Sequence, residues 1–117
     1  MPQAGVFAIG DCTVSPLPGK FKPDASLVLP KAGVFADRQG IVVAQNIALA
    51  MRGQTSRVSY DGKGSCYIET GDMHAARGDG SFFELPHPTM ERHIPDMTLY
   101  DGKREWIKGL IERFLGS

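Results

Sequence analysis

Two thiols, one carboxylate and one ammonium are the groups in this 117-residue chain whose settings could support chemistry. Cys66 stands in the alternating run SCYIET, residues 65–70, and Cys12 follows Asp11 in a loop-like stretch. A strand cysteine is most often a small buried hydrophobe. It acts as a redox thiol only when it meets a cofactor or a second thiol and is held as thiolate. Cys12 is the one internal partner, and two cysteines in unlike settings do not make a disulfide framework. Gly10 and Asp11 end the apolar run VFAI, residues 6–9, which has the length and character of a buried strand. A carboxylate at the carboxyl end of such a strand sits where open α/β sheets bind ligands; a turn Asp bonding its own backbone is the plainer reading. Lys31 lies between Pro30 and Ala32–Gly33, just ahead of a helical pattern. Free N–H groups at a helix start favour an electron-rich group, and Lys31 is either solvated or offsets an anion there. His74, His87 and His93 share no metal-ligand spacing with each other or with either cysteine, so no metal site is expected. Walker, complete dinucleotide and nucleophile-elbow motifs are missing.

The elements that must position these groups centre on residues 29–52, LPKAGVFADRQGIVVAQNIALAMR. Val34, Ile41, Ala44, Ala48 and Met51 repeat at helical spacing, with Phe35, Val42 and Leu49 in a second row beside them. Pro30 suits the entry and Gly53 the exit. Gly40 lies inside and costs about 1 kcal/mol against Ala; it either permits a close approach or marks a helix that starts late, near Arg38. Residues 12–27 read as a proline-broken binding or covering loop. After residue 57 the pattern changes to short alternating runs: Val58 and Tyr60, residues 65–70, 73–77 and 81–85. Turns are expected at Asp61–Gly62, Gly71–Asp72 and Gly78–Asp79–Gly80, giving an antiparallel arrangement packed on the helix. Residues 86–95 read as irregular, and a second amphipathic helix is expected from about Asp101 with Trp106, Ile107, Leu110, Ile111, Phe114 and Leu115 as its stripe. That stripe covers the sheet, lies in a membrane interface or meets a second subunit. The division expected is residues 1–56 and 57–117.

Thirteen basic and thirteen acidic residues give zero net charge, which offers nucleic acid no electrostatic footing. No apolar run nears the roughly 20 residues of a membrane-spanning helix. The opening MPQAGVF lacks a basic-then-apolar leader, and with two cysteines a reduced, cytoplasmic setting is expected.

VFAIGDCT, then LPKAGVFADRQG and AQNIA, resemble the carboxyl-terminal part of the FAD-dependent pyridine nucleotide-disulfide oxidoreductases. Within that superfamily the chain is most similar to sulfide:quinone oxidoreductases and flavocytochrome c sulfide dehydrogenases, with type II NADH dehydrogenases nearby. The resemblance implies FAD as cofactor, Asp11 bonded to its ribityl chain and Gly10 letting the backbone approach. It places Pro30, Lys31, Ala32 and Gly33 against the isoalloxazine, with the helix start facing the flavin pyrimidine. It gives Cys66 the place of a redox cysteine that takes up sulfide sulfur with a second cysteine not present in this chain. It implies electrons passing from sulfide or a reduced nucleotide to a quinone or similar small acceptor. The late aromatic helix resembles the region that serves the quinone site and membrane attachment. The family's first GxGxxG fingerprint and its nicotinamide domain do not occur here. The expectation is therefore an α+β fragment of a two-dinucleotide-domain flavoprotein, with one long helix, a small antiparallel sheet and a carboxyl-terminal amphipathic helix. Its partner would be the rest of the flavoprotein chain. Alone it would hold FAD weakly or not at all and catalyse nothing, and residues 6–9 would be disordered or paired with another copy. Peripheral contact with the inner face of the membrane and a homodimer belong to the same set of expectations. The competing reading is a stand-alone α+β module for dimerisation or membrane attachment, without catalysis.

Overall fold

A computed structural model describes residues 5–55 and 57–116. The expected boundary at residue 56 lies outside the described residues. The chain forms two compact units that interleave in sequence: Met1–Gly64 with Ser81–Thr89, and Ser65–Gly80 with Met90–Ser117.

The first unit is built on helix α1, Gly33–Met51. The helix begins directly after the Pro30 entry, so Gly40 is interior to it. Gly53, with φ +72, ends it in the left-handed conformation. The row that turns inward is Phe35, Val42 and Leu49, while Ile41 and Met51 of the other row are 47% and 84% exposed. The core is small: Leu17, Leu29, Phe35 and Phe82, with Leu27, Val34 and Tyr60 against it. Phe35 and Phe82 meet edge to face, ring centroids 5.3 Å apart. Leu17 and Leu29 are delivered by a short antiparallel pairing, in which Leu17 N–H donates to Leu27 C=O and Leu29 N–H to Ser15 C=O, both at 2.9 Å. Gly64 makes room for the Phe35 ring, since a Cβ there would lie 2.3 Å from it.

Residues 6–9 are not a strand. They have no ladder partner among the described residues, and Val6 is 59% exposed. Val58 and Tyr60 do not form a strand either. The Asn46 side chain takes the place of a neighbouring strand, accepting from Val58 N–H at 2.7 Å and donating to Val58 C=O at 2.9 Å.

The second unit carries a three-stranded sheet in the order β1 (Lys63–Gly71), β2 (His74–Ser81), β3 (Thr89–Asp96). Its connections are too short for parallel crossovers, so the sheet is antiparallel. Asp72 and Met73, both at positive φ, make the tight turn between β1 and β2. Three expectations fail here. Gly78–Asp79–Gly80 is strand, because Gly78 leaves space for Met90 on β3 (a Cβ would sit 3.2 Å from its sulfur) and Asp79 is held by cross-strand bonds. Residues 82–85 leave the sheet, and Phe82 enters the core of the first unit. Residues 89–96 are strand despite Pro95, since an edge strand can lack one ladder donor. Helix α2, Met97–Leu115, starts earlier than expected: the Asp96 carboxylate caps it by accepting from Thr98 N–H at 2.6 Å. The result is a small α+β fold of two helices and an open three-stranded sheet.

Candidate functional site

Gly10, Asp11 and the residues just before α1 converge in the first unit. A single 3-10 turn, Gly10–Cys12, reverses the chain after Ile9. Gly10 adopts φ +74, a conformation few side chains accept, and a Cβ there would lie 3.3 Å from the Ala36 Cβ on α1. Its N–H donates to Gln39 Oε1 at 2.8 Å, and its C=O accepts from the Thr13 N–H at 3.0 Å and hydroxyl at 2.7 Å. Both polar groups of this glycine are thus satisfied, one by α1 and one by the turn.

Lys31 closes the other side. Its ammonium donates to the Asp11 C=O at 2.5 Å, so the lysine ties the α1 entry to the turn. Asp11 itself is exposed, and only its backbone C=O takes part in that bond. Ala32 is the N-cap of α1 and offers no side-chain cap, and the first turn holds no acidic residue. Among the described residues the Gly33 and Val34 N–H groups at the helix start have no hydrogen-bond acceptor, and Gly33 has open space where a Cβ would be. Pro30, Lys31 and Ala32 line one wall of a recess and Gly10, Asp11 and Thr13 the other; it encloses about 10 Å³, room for a single water. A larger group would lie along its rim.

Cys66 belongs to the second unit. On β1 it shares the exposed face with Ile68, so the small buried hydrophobe expected of a strand cysteine is not what stands here. Cys12 is also a free, exposed thiol, its Sγ 3.1 Å from Ile9 C=O.

The opposite face of β1 carries a polar network that the residue pattern did not reveal. Asp79 Oδ1 accepts from Ser65 Oγ at 2.5 Å and Arg77 Nε at 2.8 Å, and Oδ2 lies 2.8 Å from His93 Nε2. The Ser65 hydroxyl does most to hold the Asp79 carboxyl down at about 2, with the Arg77 and His93 bonds adding to it against partial burial. Arg77 also lies over the Tyr67 ring, 5.6 Å from its centroid. The signal that could have found this network is the period-2 spacing of Ser65 and Tyr67, and of Arg77 and Asp79, which puts all four on one face. The three histidines stay apart from any metal-like set: no group of three metal-ligating side chains occurs among the described residues.

Neither the family models, the curated proteins nor the solved structures compared with this chain give a match.

Proposed function

We propose that the chain is the flavin-facing, carboxyl-terminal part of an FAD-dependent oxidoreductase of two-dinucleotide-domain type, moving electrons from sulfide or a reduced nucleotide to a quinone or similar acceptor. One observation carries the reading. Gly10 and Asp11 line one recess together with Pro30, Lys31 and Ala32, about twenty residues away in sequence, and Gly33, the next residue, opens the uncapped helix α1.

The residues present suit an isoalloxazine edge. The free N–H groups of Gly33 and Val34 favour negative charge on whatever lies before them, worth about 0.3–1 kcal/mol for an exposed group. Lys31 brings a positive charge to the same rim while anchored on Asp11 C=O. The exposed Asp11 carboxylate can accept from hydroxyls of a ribityl chain. Gly10 is assigned as the point where the backbone approaches the cofactor, and its missing side chain also lets the turn pack on Ala36 of α1. FAD, when bound, supplies the two-electron chemistry; the chain's part is to position its edge and stabilise its charge. Cys66 is assigned, on the resemblance, as a redox thiol of the full-length protein, and it is exposed on β1; uptake of sulfide sulfur there would require two electrons to pass to an oxidant, which FAD would supply when bound.

NMR titration of the isotopically labelled chain with FAD tests the reading, because it detects weak binding. The largest shifts are expected at the amides of Asp11, Gly33 and Val34, and Asp11→Ala should diminish them. Shifts confined to the second unit would sink it, and so would undiminished FAD retention by the Asp11→Ala variant of the full-length protein.

A further inference from the structure

Helix α2 does not spend its apolar stripe on its own unit. Tyr67 meets Trp106, with ring centroids 6.3 Å apart, and Lys103 Nζ bonds Glu69 at 2.6 Å, so the first half of the helix is fixed to the sheet. The second half is not: Ile111, Phe114 and Leu115 are 49%, 67% and 77% exposed, and no residue of the helix is buried. This open side carries Arg104, Ile107, Lys108, Ile111 and Glu112 in one strip along the helix. Among the described residues the Arg104, Lys108 and Glu112 side chains make no ion pair.

We propose that this face binds α2 of a second copy of the chain, antiparallel, about a two-fold axis passing near Gly109 and Leu110. The charges select that occupant. Lys108 and Glu112 lie one turn apart on the same edge of this strip and flank the axis almost evenly. Antiparallel pairing sets flanking positions of one helix against the same positions of the other. Lys108 of each copy then meets Glu112 of the other, twice by symmetry. The same axis sets Ile107 of one copy on Ile111 of the other. A lipid surface complements only part of this face: an anionic bilayer would attract Arg104 and Lys108 but leave Glu112 opposed, and the chain has no net charge to draw it there. The contact is independent of the flavin reading, since every residue in it lies on α2.

A charge-reversal cycle tests the pairing on the full chain by sedimentation equilibrium, with circular dichroism confirming that helix content is kept. The wild type should show a monomer–dimer equilibrium in the micromolar range. Lys108→Glu and Glu112→Lys should each raise the dissociation constant about tenfold or more. The double variant, which restores both pairs with signs exchanged, should return it to within about threefold of wild type. Ile111→Ser, at an exposed position that leaves the fold intact, should abolish the dimer. A wild type monomeric at millimolar concentration, a dimer indifferent to the single reversals, or a double variant no better than the singles would overturn the proposal. So would a monomer that co-sediments with phosphatidylglycerol vesicles and loses that binding in Ile111→Ser, which would make the face a lipid contact.

Discussion

Replacing Gln39 by Leu removes one atom that matters and keeps the volume of the side chain. Gln39 Oε1 is the acceptor for the Gly10 N–H at 2.8 Å, across 29 residues of sequence. It joins the turn that carries Asp11 to the middle of α1. A hydrogen bond of this kind contributes about 0.5–1.5 kcal/mol net, and a fully buried donor left alone costs about 1–3. Gly10 is half-buried, so water can reach it once the partner is gone, and the expected loss is about 1 kcal/mol. By the 1.36 kcal/mol per decade relation, exchange of the Gly10 amide with solvent should accelerate roughly fivefold. Exchange elsewhere on α1 should change little. Gln39→Glu keeps an oxygen acceptor and should retain most of the protection. Exchange measured by NMR at that single amide is the assay, with FAD-induced shifts at Asp11 as a second readout. If Gly10 exchanged equally slowly in Gln39→Leu, the turn would be held by its packing on Ala36 alone, and the reasoning that α1 presents Asp11 through Gln39 would be refuted.

Two further outcomes follow from the core and the polar network. Phe35 is 2% exposed in a core of few residues, with Gly64 fitted beneath its ring, so Phe35→Ala should lower the unfolding free energy by about 3–5 kcal/mol in urea titration; a loss under about 1 kcal/mol would mean that the first unit is held mainly by its loops. The Asp79 carboxyl is depressed from 3.8 to about 2, so its contribution is fully present above pH 3.8 and lost as pH falls through about 2. With the side chain about one-third exposed, the contribution is about 1–2 kcal/mol after screening. Asp79→Asn should flatten the acid limb of the stability curve in that window, and an unchanged limb would count against the network.

The helix organising the first unit was legible because its signals are local: a proline at the entry, a seven-residue apolar repeat and a glycine at the exit. Which of its two apolar rows faces inward was not, because spacing gives the width of a face and not what lies opposite. Phe35 wins through Phe82, a partner that reads locally as the start of another strand. In the second unit Pro95 hid β3, and two flanking glycines made Asp79 look like a turn. Only the neighbouring strands, with Ser65 and His93 in reach, make that aspartate a strand residue. The candidate site shows the same division. Gly10, Asp11 and residues 30–33 could be picked out by motif, while Gln39 could not, since its function is a contact between segments distant in sequence.

The late arrival of Phe82 has a consequence for how the chain emerges during synthesis. Leu17, Leu29 and Phe35 leave the ribosome before Phe82, and the ring that completes their core follows only after α1 and most of β1 and β2 have been made. At about 5–20 residues per second, these three side chains remain without that partner for several seconds. Through that interval the amino-terminal half is an unfinished apolar surface, open to chaperones and to aggregation alike.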